Sequence, residues 1–325
     1  RRARIAYAPA SDELIPWRGS YVKSPALAAF MGTMHNLHLR MSMGCGGMIF
    51  LTIMCFLSFL SIVVGVLLYP TFMRRRLFGG TRGGTSAGNF FDWHNFLGIV
   101  TAVWAGLMTL SGVAIAAYII GHGSYRTDVE AALPVHIHNR APIGYEEMIV
   151  YAAEHFPTQN LLYLANAGED ASAVMTLTDE GRPSMFRGQE VYLIRTEEGL
   201  THITQPMPRW LALCDSLRTL HVYNHDTIPL KVLWAVLDIL TIFVIVSGFA
   251  GWLQRRRRKK EIPPVLSGGT GSITATWSMP AVFALLSLIG MAAPLSDGVT
   301  GNIIGTAAWG CALLLAIMLW RRGKK

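Results

Sequence analysis

The sequence predicts a mainly α membrane protein: a bundle of transmembrane helices with a small α+β domain on one side. Three observations predict it. Of the 325 residues, 52% are hydrophobic and only 15% charged, too little charge for a water-soluble protein of this length. Residues 43–69, 96–120, 232–253, 279–295 and 303–320 form five apolar stretches, and roughly 20 helical residues cross a hydrocarbon core of about 30 Å. The fourth stretch is the shortest. Between the second and third lies a long polar segment with its own pattern of helix and strand.

The formal charge of +8 does not point to nucleic acid, because the basic residues stand in blocks against the ends of apolar spans. Arg74, Arg75, Arg76 and Arg82 follow the first span, residues 255–260 follow the third, and Arg321, Arg322, Lys324 and Lys325 follow the fifth. The positive-inside rule makes these three ends cytoplasmic. Residues 1–42, residues 121–227 and the hairpin tip at 296–302 then lie outside. Cys45, Cys55 and Cys311 fall within spans and Cys214 stands alone outside, with no CxxC pair. That supports neither a disulfide framework nor a zinc site. The chain begins with Arg1, and an outside terminus carrying Arg1, Arg2 and Arg4 needs something to export it. An upstream span is therefore expected, giving six spans with both ends inside.

Element by element, Ser24 can cap a helix that starts at Pro25 and passes through His35 and His38 straight into the first span (43–69). Residues 70–91 form a cytoplasmic loop whose GGTRGG reads as linker, since it lacks the Lys-Ser/Thr ending and preceding strand of a phosphate loop. The second span occupies 92–120. In the outside domain, residues 145–155 read as an amphipathic helix, and 161–165, 173–177, 191–196 and 200–204 as strands. The last two flank Glu197, Glu198 and Gly199, a hairpin signal. Residues 208–220 read as an interfacial helix with Trp210 as a membrane-rim anchor. Spans 228–253, 279–295 and 303–320 follow, with a basic cytoplasmic loop at 254–278 and a cytoplasmic tail at 321–325.

Ten histidines sort into two groups. His136, His138, His155 and His202 are scattered over the outside domain. The others cluster at span ends. His35 and His38 are three apart and His221 and His225 four apart, so each pair shares a helical face. His94 opens the second span at the cytoplasmic face, and His122 lies about 42 Å further along if that helix is unbroken. Two sites near opposite faces are implied. Haem iron takes imidazole along its two axial directions, so a flat ring slotted between helices needs one histidine from each flank at matched depth. The pair His38 and His221 can supply that. Gly44, Gly46 and Gly47 near His38, and Gly98 near His94, can let a bulky ring approach a helix, or serve plain helix packing. A histidine at a span end is also commonly just an interfacial residue.

Zinc or copper can use such pairs too, but carboxylates are scarce beside them and no HExxH motif exists. Met31, Met34, Met41, Met43 and Met48 offer thioethers, for which packing is the commoner use. Asp238 lies inside the third span, where an ionised carboxylate costs roughly 2.5 to 3.5 kcal/mol. It either hydrogen-bonds a neighbouring helix or takes part in proton movement. Arg40, Arg126, Arg218 and Lys231 are candidates for haem propionates or lipid headgroups.

The stretch NLHLRMSMGCGG leading into one span, DWHNFLG opening the next, and LRTLHVYNHDTIPLKVLWAVLDILTIFVIVSGFAGWLQRRRR together resemble the PepSY-associated transmembrane proteins over residues 30–258. The chain is most similar to the FoxB type, di-haem b-type inner-membrane reductases of ferric siderophores. The resemblance implies an outer haem on His38 and His221, and an inner haem on His94 plus a histidine of a first helix that this sequence lacks. It also implies a PepSY-like periplasmic module. His35 and His225 are further ligand or supporting candidates. The expected partners are a ferric siderophore, the lipid bilayer and a cytoplasmic donor, whether reduced flavin, quinol or a reductase protein, since no GxGxxG unit opens a nucleotide fold within the chain. The rival expectation is a haem-free anchor whose outside domain binds peptide or inhibits a protease. Transport of the siderophore itself ranks last, because it predicts broken helices and polar midplane residues.

Overall fold

The computed structural model describes residues 5–8, 13–16, 24–73, 78, 86–132, 142–166, 172–179, 189–222, 227–257, 272–296 and 298–322. Arg74, Arg75, Arg76, Arg82, Arg258, Lys259, Lys260, Lys324 and Lys325, with the histidines His136, His138 and His225, lie outside the described residues. The chain divides into two compact units, Arg1–Met54 and Cys55–Lys325.

In the first unit β1 (Ile5–Ala8) pairs antiparallel with β2 (Glu13–Pro16), a hairpin that sequence reading missed. Helix α1 (Pro25–Arg40) starts as expected: the Leu27 N–H donates to Ser24 Oγ at 3.4 Å, and Pro25 occupies the first turn. It does not run straight into the membrane. Met41 and Ser42 take left-handed φ values of 50° and 56°, Gly44 follows at 59°, and α2 (Gly44–Met73) begins a new helix. A Cβ on Gly47 would overlap the Arg40 carbonyl. Gly44 and Gly47 thus make a tight turn between two helices, a more local task than admitting a cofactor. Along α2 large apolar side chains face outward, Leu67 at 69% exposure among them, as a lipid-facing helix requires.

In the second unit α3 (Ser86–Ala131) runs for 46 residues, about 69 Å. After the α+β elements come α5 (Arg209–His221), α6 (Ile228–Arg257), α7 (Ile273–Ala292), a 3₁₀ turn (Ala293–Ser296) and α8 (Val299–Arg322). Among the described residues five helices are long and apolar enough to cross a membrane: α2, α3, α6, α7 with its 3₁₀ turn, and α8. The chain is a multi-pass membrane protein. Its bundle core is aromatic. Trp104 of α3 meets Trp234 of α6 and Trp309 of α8 edge-on, with ring centroids 4.7 and 6.0 Å away, beside the fully buried Phe283, Leu237 and Leu230.

The α+β portion holds α4 (Tyr145–His155) and an antiparallel meander, β3 (Gln159–Asn166), β4 (Ser172–Asp179), β5 (Gln189–Thr196) and β6 (Gly199–Thr204), in that order. Strand alternation decides which face goes where. Ala173, Met175, Leu177, Val191 and Leu193 pack with Ile143, Met148, Tyr151 and Ala152 around α4. Val174 and Tyr192 point the other way and join Tyr118, Tyr125 and Val129 of α3 and Leu211 of α5. That second contact explains why α3 does not stop at residue 120: its outer turns bury aromatics against the sheet. The hairpin expected at residues 197–199 is present, with Gly199 at φ 131°. All four cysteines are free thiols.

Candidate functional site

Helix α3 sets two histidine positions. Near its start, His94 crosses to α6, where its Nδ1 lies 2.9 Å from the Val244 carbonyl oxygen. A carbonyl can only accept, so Nδ1 carries the proton and the lone pair sits on Nε2. The ring rests on bare backbone at Gly248, where an added Cβ would come within 2.8 Å of Cε1 and 2.9 Å of Nδ1. Phe91 lies beside that ring with centres 6.4 Å apart, while the adjacent Trp93 packs at a tilt against Trp320 and edge-on to Phe243.

Seventeen residues further, about 25 Å along the helix axis, the Ser111 hydroxyl stands 2.9 Å from His221 Nδ1 at the end of α5. Ser111 has one proton, and its Oγ lies 2.6 Å from the Leu107 carbonyl oxygen, one turn back, and 3.0 Å from that of Met108. With the proton spent there, Oγ accepts from the Nδ1–H of His221, which again puts the lone pair on Nε2. The supports cross between helices: His94 of α3 rests on Val244 and Gly248 of α6, and His221 of α5 on Ser111 of α3. Sequence reading did not identify Ser111, Val244 or Gly248, and a single serine, carbonyl or glycine in an apolar span carries no signal that would have.

Both nitrogens are therefore set as neutral imidazole ligands are normally set, with Nδ1 donating to a protein acceptor and Nε2 carrying the lone pair. A b-type haem fits residues of this kind. His38 and His35 stand on α1, one turn apart and exposed.

Of the cations expected near propionates, Arg218 has a job already. Its Nε and Nη2 donate to Asp215 Oδ1 at 2.9 and 2.6 Å, and its guanidinium lies 4.8 Å from the Tyr118 ring centre. The buried Asp215 makes this a positioning pair for α5. Arg40, Lys231 and Asp238 are exposed along the helices that carry them.

His122 is at the far end of the same unbroken α3, as expected, but it belongs to the sheet. Its Nε2 lies 3.1 Å from Glu190 Oε1, and Tyr192 Oη donates to Glu190 Oε2 at 3.0 Å. Burial raises the Glu190 pKa, yet the His122 contact and charge, the Tyr192 hydroxyl and the Arg126 charge outweigh it and hold the carboxyl below its usual range. His155 and His202, treated as scattered, come together beside Tyr151 with ring centres 6.2 Å apart.

Residues 2–255 match the PepSY-associated TM region family, and the chain belongs to it. No curated protein and no solved structure matches the chain significantly.

Proposed function

We propose that the chain is a di-haem b-type reductase of the bacterial inner membrane, passing electrons from the cytoplasmic side to a ferric siderophore in the periplasm and releasing Fe(II). The observation that carries this reading is the matched state of His94, on α3, and His221, bonded to Ser111 about 25 Å further along that helix, each with Nδ1 tied and its lone pair on Nε2. Haem b, when bound at such histidines, supplies a one-electron carrier. The chain's own residues do the rest. The Val244 carbonyl and Ser111 hydroxyl orient the rings and raise their basicity. Trp104, Trp234 and Trp309 keep the span between the two levels apolar.

His38 is the proposed partner of His221, as the family resemblance implies, and a histidine of a preceding helix is the proposed partner of His94. The α+β portion is the proposed periplasmic, PepSY-like docking side. Reduction loosens a hard oxygen-donor chelate because Fe(II) is softer and less charged than Fe(III). The donor is reduced flavin, quinol or a separate reductase.

The test is a reduced-minus-oxidised visible spectrum of the full-length protein with pyridine-haemochrome quantitation, repeated on His38→Ala, His94→Ala and His221→Ala. Sharp b-type bands that diminish in each variant, with ferric-siderophore reduction lost alongside, support the reductase. A featureless spectrum from haem-supplied cells refutes it and favours a haem-free anchor that binds peptide through the α+β portion.

A further inference from the structure

Near the end of α3, Ala117, Ile120, Gly121, Ser124, Tyr125 and Asp128 share one helical face and line a cleft of about 600 Å³. The opposite wall is the loop at Gln205, Pro206 and Pro208 with the first residues of α5. The cleft is pre-built. The Trp210 indole lies across bare backbone at Gly121, where an added Cβ would overlap the ring. Tyr125 Oη donates to the Gln205 carbonyl at 2.6 Å and pins the loop. Trp210 nonetheless stays 54% exposed and Ile120 62%.

Polarity along the cleft changes with height. Ala117 and Ile120 close the apolar span, and Ser124, Tyr125 and Asp128 lie beyond it. From Ile120 to Asp128 the axis advances about 12 Å, and a helical side chain covers the turn before its own Cα, so the Asp128 carboxylate stands roughly 7 Å above the edge of the span. The polar layer on one face of a bilayer is about 5 to 8 Å deep. The cleft thus has an apolar floor at acyl-chain depth and a carboxylate at headgroup depth, and Asp128 is the one charged residue among those lining it.

We propose that this cleft binds one phospholipid of the adjoining leaflet whose headgroup ends in a primary ammonium. Charge complementarity selects the headgroup. The ammonium meets the Asp128 carboxylate and the exposed face of the Trp210 indole, and the phosphate faces Arg209, which is exposed between the lining residues Pro208 and Trp210. An acyl chain runs along Ala117, Ile120 and Leu211. A headgroup without the ammonium leaves Asp128 unmatched. The lipid braces α5 on α3, and α5 carries His221 at its other end.

The experiment is native mass spectrometry of the purified full-length protein, delipidated in detergent and titrated with three lipids: dioleoylphosphatidylethanolamine, its N-acetyl derivative, which keeps the phosphate and chains but has lost the ammonium, and dioleoylphosphatidylglycerol. One equivalent of phosphatidylethanolamine is expected, with the other two lipids about 5- to 10-fold weaker. Asp128→Asn should remove that preference, and Ser124→Trp, which fills the cleft from α3, should lose the equivalent itself. Circular dichroism melts establish that each variant folds, and Asp128→Asn, at an exposed position, carries the test alone if the larger substitution does not. Equal affinity of the wild-type protein for the three lipids would overturn the assignment, as would a preference that survives Asp128→Asn. A redox-inert gallium(III) hydroxamate chelate that binds the wild-type protein but not Ser124→Trp, with no lipid equivalent held, would overturn it in favour of a substrate cleft.

Discussion

Replacing Gly248 by alanine adds one carbon atom to α6, and the whole effect should fall on His94. The new Cβ would stand 2.8 Å from Cε1 and 2.9 Å from Nδ1 of that ring, whereas carbon contacts settle at about 3.5 to 4.0 Å. The ring has to withdraw by roughly 0.7 Å or more. A 2.9 Å hydrogen bond to Val244 stretched by that amount reaches about 3.6 Å and no longer counts as one. Because the ring is the mobile end of a side chain, the stability cost stays near that of one hydrogen bond, about 0.5 to 1.5 kcal/mol. The functional cost is larger, since Nε2 is no longer held in place. In a spectroelectrochemical titration the component assigned to His94 should shift or disappear while the His221 component stays. Two controls isolate the cause. Alanine at Gly106 meets nothing within 4 Å, and at Gly98 it meets only Val244 Cγ1 at 3.8 Å, so both variants should titrate like wild type. An unchanged Gly248→Ala protein, or equal damage from either control, would refute the argument.

Ser111→Ala removes the acceptor that fixes His221 and should speed haem transfer to an acceptor protein, with affinity falling about 10- to 100-fold; Ser111→Thr, which keeps the hydroxyl, should restore it. Glu190 is held below the usual carboxylate range in the folded protein, so its stabilisation is fully present above the unfolded value of about 4.3 and is lost as pH falls through the depressed folded value. Glu190→Gln should therefore flatten the acid limb of stability against pH, measured by denaturant unfolding at a series of pH values between about 6 and 3. Leu193 is fully buried between sheet and α4, and Leu193→Ala should destabilise the α+β portion by about 2 to 5 kcal/mol. Limited proteolysis should then cut that portion while the spectrum of the bundle is unchanged.

What the sequence made legible follows from the kind of signal each element carries. The five spans stand out because a hydrocarbon core demands long unbroken apolar runs, and the strands around residues 173–177 and 191–196 because a strand covered on both faces reads as a short, nearly continuous apolar run. The turn at residues 41–44 was hidden, since Met41 and Ser42 give no hint of left-handed backbone. The last quarter of α3 was hidden too. GHGSYRTDVEA looks like loop until Tyr118, Tyr125 and Val129 find the sheet and Leu211, a tertiary reason that no local pattern contains. At the histidines, residue type and depth were readable, whereas the groups that fix each ring were not. A backbone carbonyl such as that of Val244 has no sequence signature, and Ser111 differs from any other helix serine only by what stands opposite. His155 and His202 were passed over because 47 residues of chain separate two side chains that packing brings side by side.

The continuity of α3 also limits how this protein can vary. A helix advances 1.5 Å and turns 100° with each residue, and this one carries His94, Ser111, Tyr118 and His122 toward three different neighbours without a joint. Deleting a single residue between His94 and Ser111 would swing every later contact through more than a quarter turn, pulling Ser111 off His221 and His122 off Glu190 together. Insertions and deletions along this rod should be tolerated only as near-whole numbers of turns, three or four residues or seven.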